Sequence, residues 1–206
     1  MPLFAPNDRA WSRTFHFGVG PSSHGPRIGG TRPDGLRADL QDDAEYIMTI
    51  QLATAPDIFA SLFRNCSFDD FIDGMNDGFH DDDRLLAIPH HDDLRRSSDT
   101  AFASSVTPHP LVVAETPTRD RAPSSDGSTV PRGGHKFGGE PHSIQEPELP
   151  GASQLFGAGY LQIVQVDFPA ADDAEVDGDW PFMDGLFNLF WKPPFFDTPY
   201  FWYLQK

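Results

Sequence analysis

Two runs of strand character organise the hydrophobic and polar positions of this chain. The later one is Tyr160-Leu161-Gln162-Ile163-Val164-Gln165-Val166, led across a polar, proline-bearing interval by His135-Lys136-Phe137-Gly138-Gly139. The earlier one is Tyr46-Ile47-Met48-Thr49-Ile50-Gln51-Leu52, led by Arg27-Ile28-Gly29-Gly30. Both mix aromatic, β-branched and long apolar residues with an interposed glutamine or threonine, which predicts a strand with one well-buried face. Paired glycines allow backbone angles closed to other residues, or close approach of another segment, and so predict a tight turn at the edge of a sheet. Matching Tyr46 to Tyr160 and Gln51 to Gln165 makes the stretches weak copies of one unit, with halves at about 26–115 and 135–206.

The remaining pattern supplies the other elements. Thr14 to Val19 fits an edge strand. Ile58, Leu62 and Phe63 after Pro56-Asp57 predict a helix ending near Arg64 to Cys66. Arg84 to Pro89, Leu111 to Ala114 and Leu186 to Trp191 read as strands, the last entered through an Asp184-Gly185 turn. Phe195, Phe196, Tyr200, Phe201, Trp202 and Tyr203 predict a closing strand packed into the core, with an exposed aromatic patch as the competing reading. Residues 116–134 hold almost no large apolar side chain and read as a loop or linker between the halves. The fold class expected is α+β: mostly antiparallel sheet built from two weakly repeated halves, with few helices and long loops, in a single domain over residues 1–206.

Charge narrows the partners. Lys+Arg number 15 against 31 Asp+Glu, a net charge of −16, which repels nucleic acid and anionic membrane and favours a basic protein. No run is long enough to span a bilayer, the N-terminus lacks a signal-peptide pattern, and the one cysteine, Cys66, cannot form an internal disulfide, so a reduced cytoplasm is expected.

The chemistry on offer is sparse. Asp69, Asp73 and Asp77 recur every four residues, where a calcium loop needs carboxylates two apart and a closing glutamate. His80 with Asp81, and His90-His91 with Asp92-Asp93, could ligate a divalent metal, though adjacent histidines point apart and clustered aspartates are usually solvated. No nucleophile elbow, phosphate loop or framed carboxylate pair is present, and Cys66 lies beside acidic residues that blunt its thiolate. His135 reads either as a ligand contact beside the glycine turn or as a brace between the halves; Gln165 and Gln51 either satisfy backbone groups at the core or touch a ligand.

The second stretch resembles the YwqG-like bacterial proteins, a family carrying a domain of unknown function. The resemblance lies in His135-Lys136-Phe137-Gly138-Gly139, Gln145, Gln165 with Asp167, and Asp184-Gly185 leading into Leu186 to Phe190; the first half departs from it with Pro26 where the second has His135. It implies a mixed fold of mostly antiparallel sheet and carries over no catalytic residue.

The function expected is therefore a non-enzymatic cytoplasmic binding protein needing no cofactor. It would neutralise a basic toxin or nuclease as bacterial immunity proteins do, through Asp69, Asp70, Asp73, Asp81, Asp82 and Asp83, with Asp172 and Asp173 nearby. The alternatives are a small-ligand or metal-binding module built on His135 or on His80, His90 and His91, and an enzyme of unrecognised type.

Overall fold

β-branched and aromatic side chains spaced for pleated backbone leave little room for helix, and in the structure, a computed structural model, the described residues hold two short helices and a sheet of 11 strands. Described are residues 11–20, 25–34, 36, 40–73, 78–91, 97–119, 134–141, 151–167, 169, 173–176, 178–182 and 185–205. In chain order the elements are β1 (Trp11–Phe17), β2 (Arg27–Ile28), β3 (Glu45–Leu52), β4 (Ala55–Arg64), α1 (Phe68–Asp73), β5 (Leu85–His90), β6 (His109–Val113), β7 (Thr118–Arg119), β8 (Lys136–Gly138), α2 (Ala152–Gly157), β9 (Leu161–Val166), β10 (Leu186–Trp191) and β11 (Phe201–Gln205). The strand order is β11-β10-β9-β8-β1-β6-β2-β3-β4-β5, with β7 on β1, and each pairing is antiparallel.

The sheet curls until its outer strands nearly meet. An isolated bridge joins His80, ahead of β5, to Trp202 of β11. One apolar cluster fills the concave side: Ile50 and Leu62 from one flank meet Val164, Leu189, Trp191 and Trp202 from the other. Each fully buried side chain of this size contributes on the order of 2 kcal/mol. On the convex side α2 lays Phe156 and Ala152 over Phe190 and Tyr203, forming a second, smaller cluster. Among the described residues no helix is long and apolar enough to cross a membrane.

Three expectations are corrected. The helix predicted over Pro56 to Cys66 is strand β4. Ala60 and Leu62 face the main core while Ser61 and Phe63 are equally buried on the opposite face, so the period-two alternation that marks a strand is erased. The segment read as an edge strand is β1, in the middle of the sheet between β8 and β6. The paired glycines stand at the ends of β2 and β8, which are also interior strands, so they do not mark an edge.

What the glycines provide is geometry for close approach. Gly29, Gly30, Gly138 and Gly139 all have positive φ, from 70° to 83°. At Gly29 (φ +74°) a Cβ would stand 2.5 Å from the carbonyl oxygens of Val106 and Thr107. Gly29→Ala should therefore lower unfolding free energy by roughly 2 kcal/mol or more in urea titrations. Gly20→Ala, at φ +96° in open space, should lose about 1 kcal/mol; equal losses would remove the close-approach argument.

The two flanks share a register. Arg27 pairs with Thr49, and Lys136 with Gln165. Thr49 pairs with Ser61, and Gln165 with Asn188. β3 shifts register between Tyr46 and Met48 at Ile47; β9 does so between Gln162 and Val164 at Ile163. Leu62 opposes Ala87, and Leu189 opposes Trp202. At the centre, Phe15↔Val113, His16↔Val112 and Phe17↔Leu111 are balanced about His16 and Val112.

Candidate functional site

The chain's density of aspartate becomes a surface at one end of the sheet. Ser67 opens α1: its hydroxyl accepts the Asp70 N–H at 3.1 Å, the bond that caps a helix N-terminus, and donates to the Asp70 carboxylate at 2.7 Å. Phe71 is the helix's buried anchor, stacked on Trp202 at 5.1 Å. The turn before β5 lies beside it, and Arg84 joins the two. Its guanidinium donates to the Asp82 carboxylate at 2.7 and 3.0 Å and to the Asp70 carbonyl oxygen at 3.3 Å. The two acidic runs singled out in the sequence thus meet around one arginine.

Within this face the aspartates differ. Asp69, Asp70, Asp73, Asp81 and Asp83 are exposed, Asp70 with its carboxylate engaged by the helix cap, whereas Asp82 is half-buried and engaged by Arg84. Burial alone would raise the Asp82 carboxyl, but hydrogen bonds from the Arg84 side chain and backbone, with its charge, outweigh this and hold it below the ordinary range. Glu45 follows the same logic: burial raises it, and hydrogen bonds from Arg64 and Ser105 bring it down on balance.

Both carboxylates have depressed values when folded, so their contribution to stability is present above the unfolded carboxylate range and is lost as pH falls through the folded values. Unfolding free energy should therefore drop as pH falls below about 4, and a Glu45→Gln variant should show a shallower drop in urea titrations. A pH dependence identical in wild type and variant would contradict the assignment.

Asp173 does not belong to the acidic face. Its side chain is 1% exposed and His135 is 2% exposed; the imidazole Nε2 lies 3.0 Å from the Asp173 carboxylate. The Asp167 N–H donates to Nδ1 at 3.1 Å, so Nδ1 is unprotonated and the proton sits on Nε2, donated to Asp173. The other Asp173 oxygen accepts the Phe17 N–H at 2.7 Å, and the Ala174 N–H reaches the Phe17 carbonyl at 2.8 Å. Phe15 and Phe17 flank the imidazole at 5.3 and 4.4 Å. His135 thus ties β1, the end of β9 and the acidic loop together, and Asp173 leaves the docking set because a buried carboxylate cannot reach a partner.

The other candidates are dispersed. Gln165 is buried and donates to the Gly134 carbonyl at 2.9 Å; Gln51 donates to the Pro56 carbonyl at 2.6 Å at the end of β3. The two glutamines stand on opposite flanks in different settings. His80 Nδ1 accepts from Arg84 at 2.9 Å, with the ring 4.5 Å from Trp202. His90 Nε2 meets the Ser61 hydroxyl at 3.0 Å, the end of a chain running through Thr49 to Tyr46. His91 turns the other way, to the Asp57 carbonyl and the ring of Phe196. Among the described residues no three metal-ligating side chains converge. Asp77, Asp92, Asp93, Gln145, Asp172, Asp184 and positions 120–133 of the expected linker lie outside the described residues.

Sequence reasoning missed a buried amide group on the convex face. Gln162 donates to Asn188 at 2.8 Å, while Gln162 Oε1 and Asn188 Nδ2 are buried with no partner among the described residues. A glutamine in a strand gives no signal of which face a bulge will turn it to. It also missed the hydroxyl chain to His90, because Ser61 was read into a helix. Cys66 is buried; burial pushes its thiol up, the nearby Asp70 charge adds to this, and Arg64 only partly opposes it.

Comparison with models of protein families, with curated proteins and with solved structures finds no significant match for this chain.

Proposed function

We propose that this protein is a non-enzymatic cytoplasmic binding protein that neutralises a basic partner, in the manner of the immunity proteins of bacterial toxin systems. Docking takes place on the face built by α1 and the turn at residues 81–83. One observation carries the reading: Asp69, Asp73, Asp81 and Asp83 are exposed on segments that Arg84 holds side by side. A cluster of fixed negative charge of this kind accelerates encounter with a cationic surface such as that of a nuclease. The whole chain, at −16, adds a long-range field of the same sign.

The kinship with YwqG-like proteins belongs to the same proposal, and so does an internal duplication. The flanks β2 to β5 and β8 to β11 are read as copies related by an axis between His16 and Val112, with Arg27 equivalent to Lys136, Thr49 to Gln165 and Ser61 to Asn188. The matched pairings and the matched bulges at Ile47 and Ile163 support it.

Affinity capture of the tagged chain from its native lysate, washed at about 50 and about 300 mM salt, tests the function. A stoichiometric basic protein retained at the lower salt and lost at the higher is the expected result. Capture of nothing, or of a partner indifferent to salt, rejects it.

A further inference from the structure

The strands that flank the closing seam are zipped to their inner neighbours by unbroken ladders. Between β4 and β5 the register runs unbroken from Phe59↔His90 to Arg64↔Leu85, and between β10 and β11 from Leu186↔Gln205 to Phe190↔Phe201. Across the closing edge, among the described residues, the backbone contribution is the His80–Trp202 bridge, with hydrogen bonds of 2.8 and 2.9 Å. The Tyr200 hydroxyl on the Leu85 carbonyl adds one side-chain bond at 2.6 Å.

Arg84 sits over this seam. Its guanidinium lies 5.4 Å from the Trp202 ring while bonding Asp82 and His80 in the turn and the Asp70 carbonyl on α1. Phe71 of the same helix stacks on Trp202. One side chain therefore binds the turn, the helix and the outer strand to one another. Its pair with Asp82 is 25% and 39% exposed, open to screening by salt as the buried ladders are not.

We propose that the curled sheet opens locally at this seam and that Arg84 is the clasp that holds it shut. Opening there breaks the bridge and the clasp and parts Phe71 from Trp202, while the β4-β5 and β9-β10-β11 ladders and the packing among the other core residues stay in place. The free energy required is therefore well below that of global unfolding. The opened state presents the outer edge of β11, with the Trp202 backbone groups unpaired, at the acidic end of the molecule.

Amide-resolved hydrogen exchange on the full chain, without any partner, decides the matter. Both Trp202 backbone groups face His80, so by strand alternation the amides of Phe201 and Tyr203 face β10 and serve as internal references. The amides of Trp202 and His80 should exchange about tenfold or more faster than those references. Arg84→Gln should accelerate the seam amides about another tenfold, and raising salt from about 50 to about 500 mM in wild type by about threefold, with the references unchanged. Seam amides as protected as the references, or accelerated no more than them by salt, overturn the proposal. If Arg84→Gln does not fold, the wild-type arms still give the answer.

Discussion

His135→Ala should lower the unfolding free energy by about 3 kcal/mol, the largest loss expected from any single substitution considered. Three effects combine. The Asp167 N–H loses its acceptor, the buried Asp173 carboxylate loses the Nε2–H donor, and a ring-sized void opens between Phe15 and Phe17. An unmade hydrogen bond at a buried group costs more than a made one contributes, and here both partners stay buried. Asp173→Asn is the milder change: it keeps the volume but offers one acceptor oxygen to two donors, His135 Nε2–H and the Phe17 N–H, and should cost about 1 to 2 kcal/mol. Urea unfolding of the three proteins gives the ranking, and a His135→Ala loss under about 1 kcal/mol would show that the imidazole braces nothing.

Reversing two exposed charges, Asp81→Lys with Asp83→Lys, should weaken the captured basic partner about a hundredfold while leaving unfolding free energy within about 0.5 kcal/mol of wild type. Neither carboxylate is used by the fold as described, so the substitution changes surface potential without a structural consequence. Asp82→Lys is the instructive contrast. It removes the anchor of Arg84 and should lower both binding and stability. The effect on binding should fall mainly on the association rate and shrink as salt rises, since rim charges act through steering. Unchanged affinity in the Asp81→Lys, Asp83→Lys protein would move the docking site elsewhere.

Much of the sheet was legible in the sequence where strand signals are local. The β9 and β10 runs, the aromatic closing strand and the scarcity of helix follow from β-branched and aromatic residues between turn formers. β4 was not legible because its two faces are equally buried, and burial on both sides removes the alternation by which a strand is told from a helix. Register was not legible either, because a sequence carries no mark of it. The pairing of β2 with β3 and the bulge at Ile47 fix the frame, and both depend on partners distant in the chain.

The candidate face was half legible. The aspartates stand out as a composition, but their sorting into exposed and engaged groups depends on where Arg84 points and on the partner that Asp173 finds in His135, 38 residues away. That last pairing turned a residue expected at the surface into part of the frame.

The most direct test of the docking face is zero-length carbodiimide cross-linking of the complex formed in native lysate, followed by peptide mapping. Carbodiimide joins a carboxylate only to an amine in contact with it. Links from partner lysines to Asp69, Asp73, Asp81 or Asp83 are expected, within the peptides that span α1 and the turn before β5. Links confined to acidic residues elsewhere on the chain would contradict docking at this face.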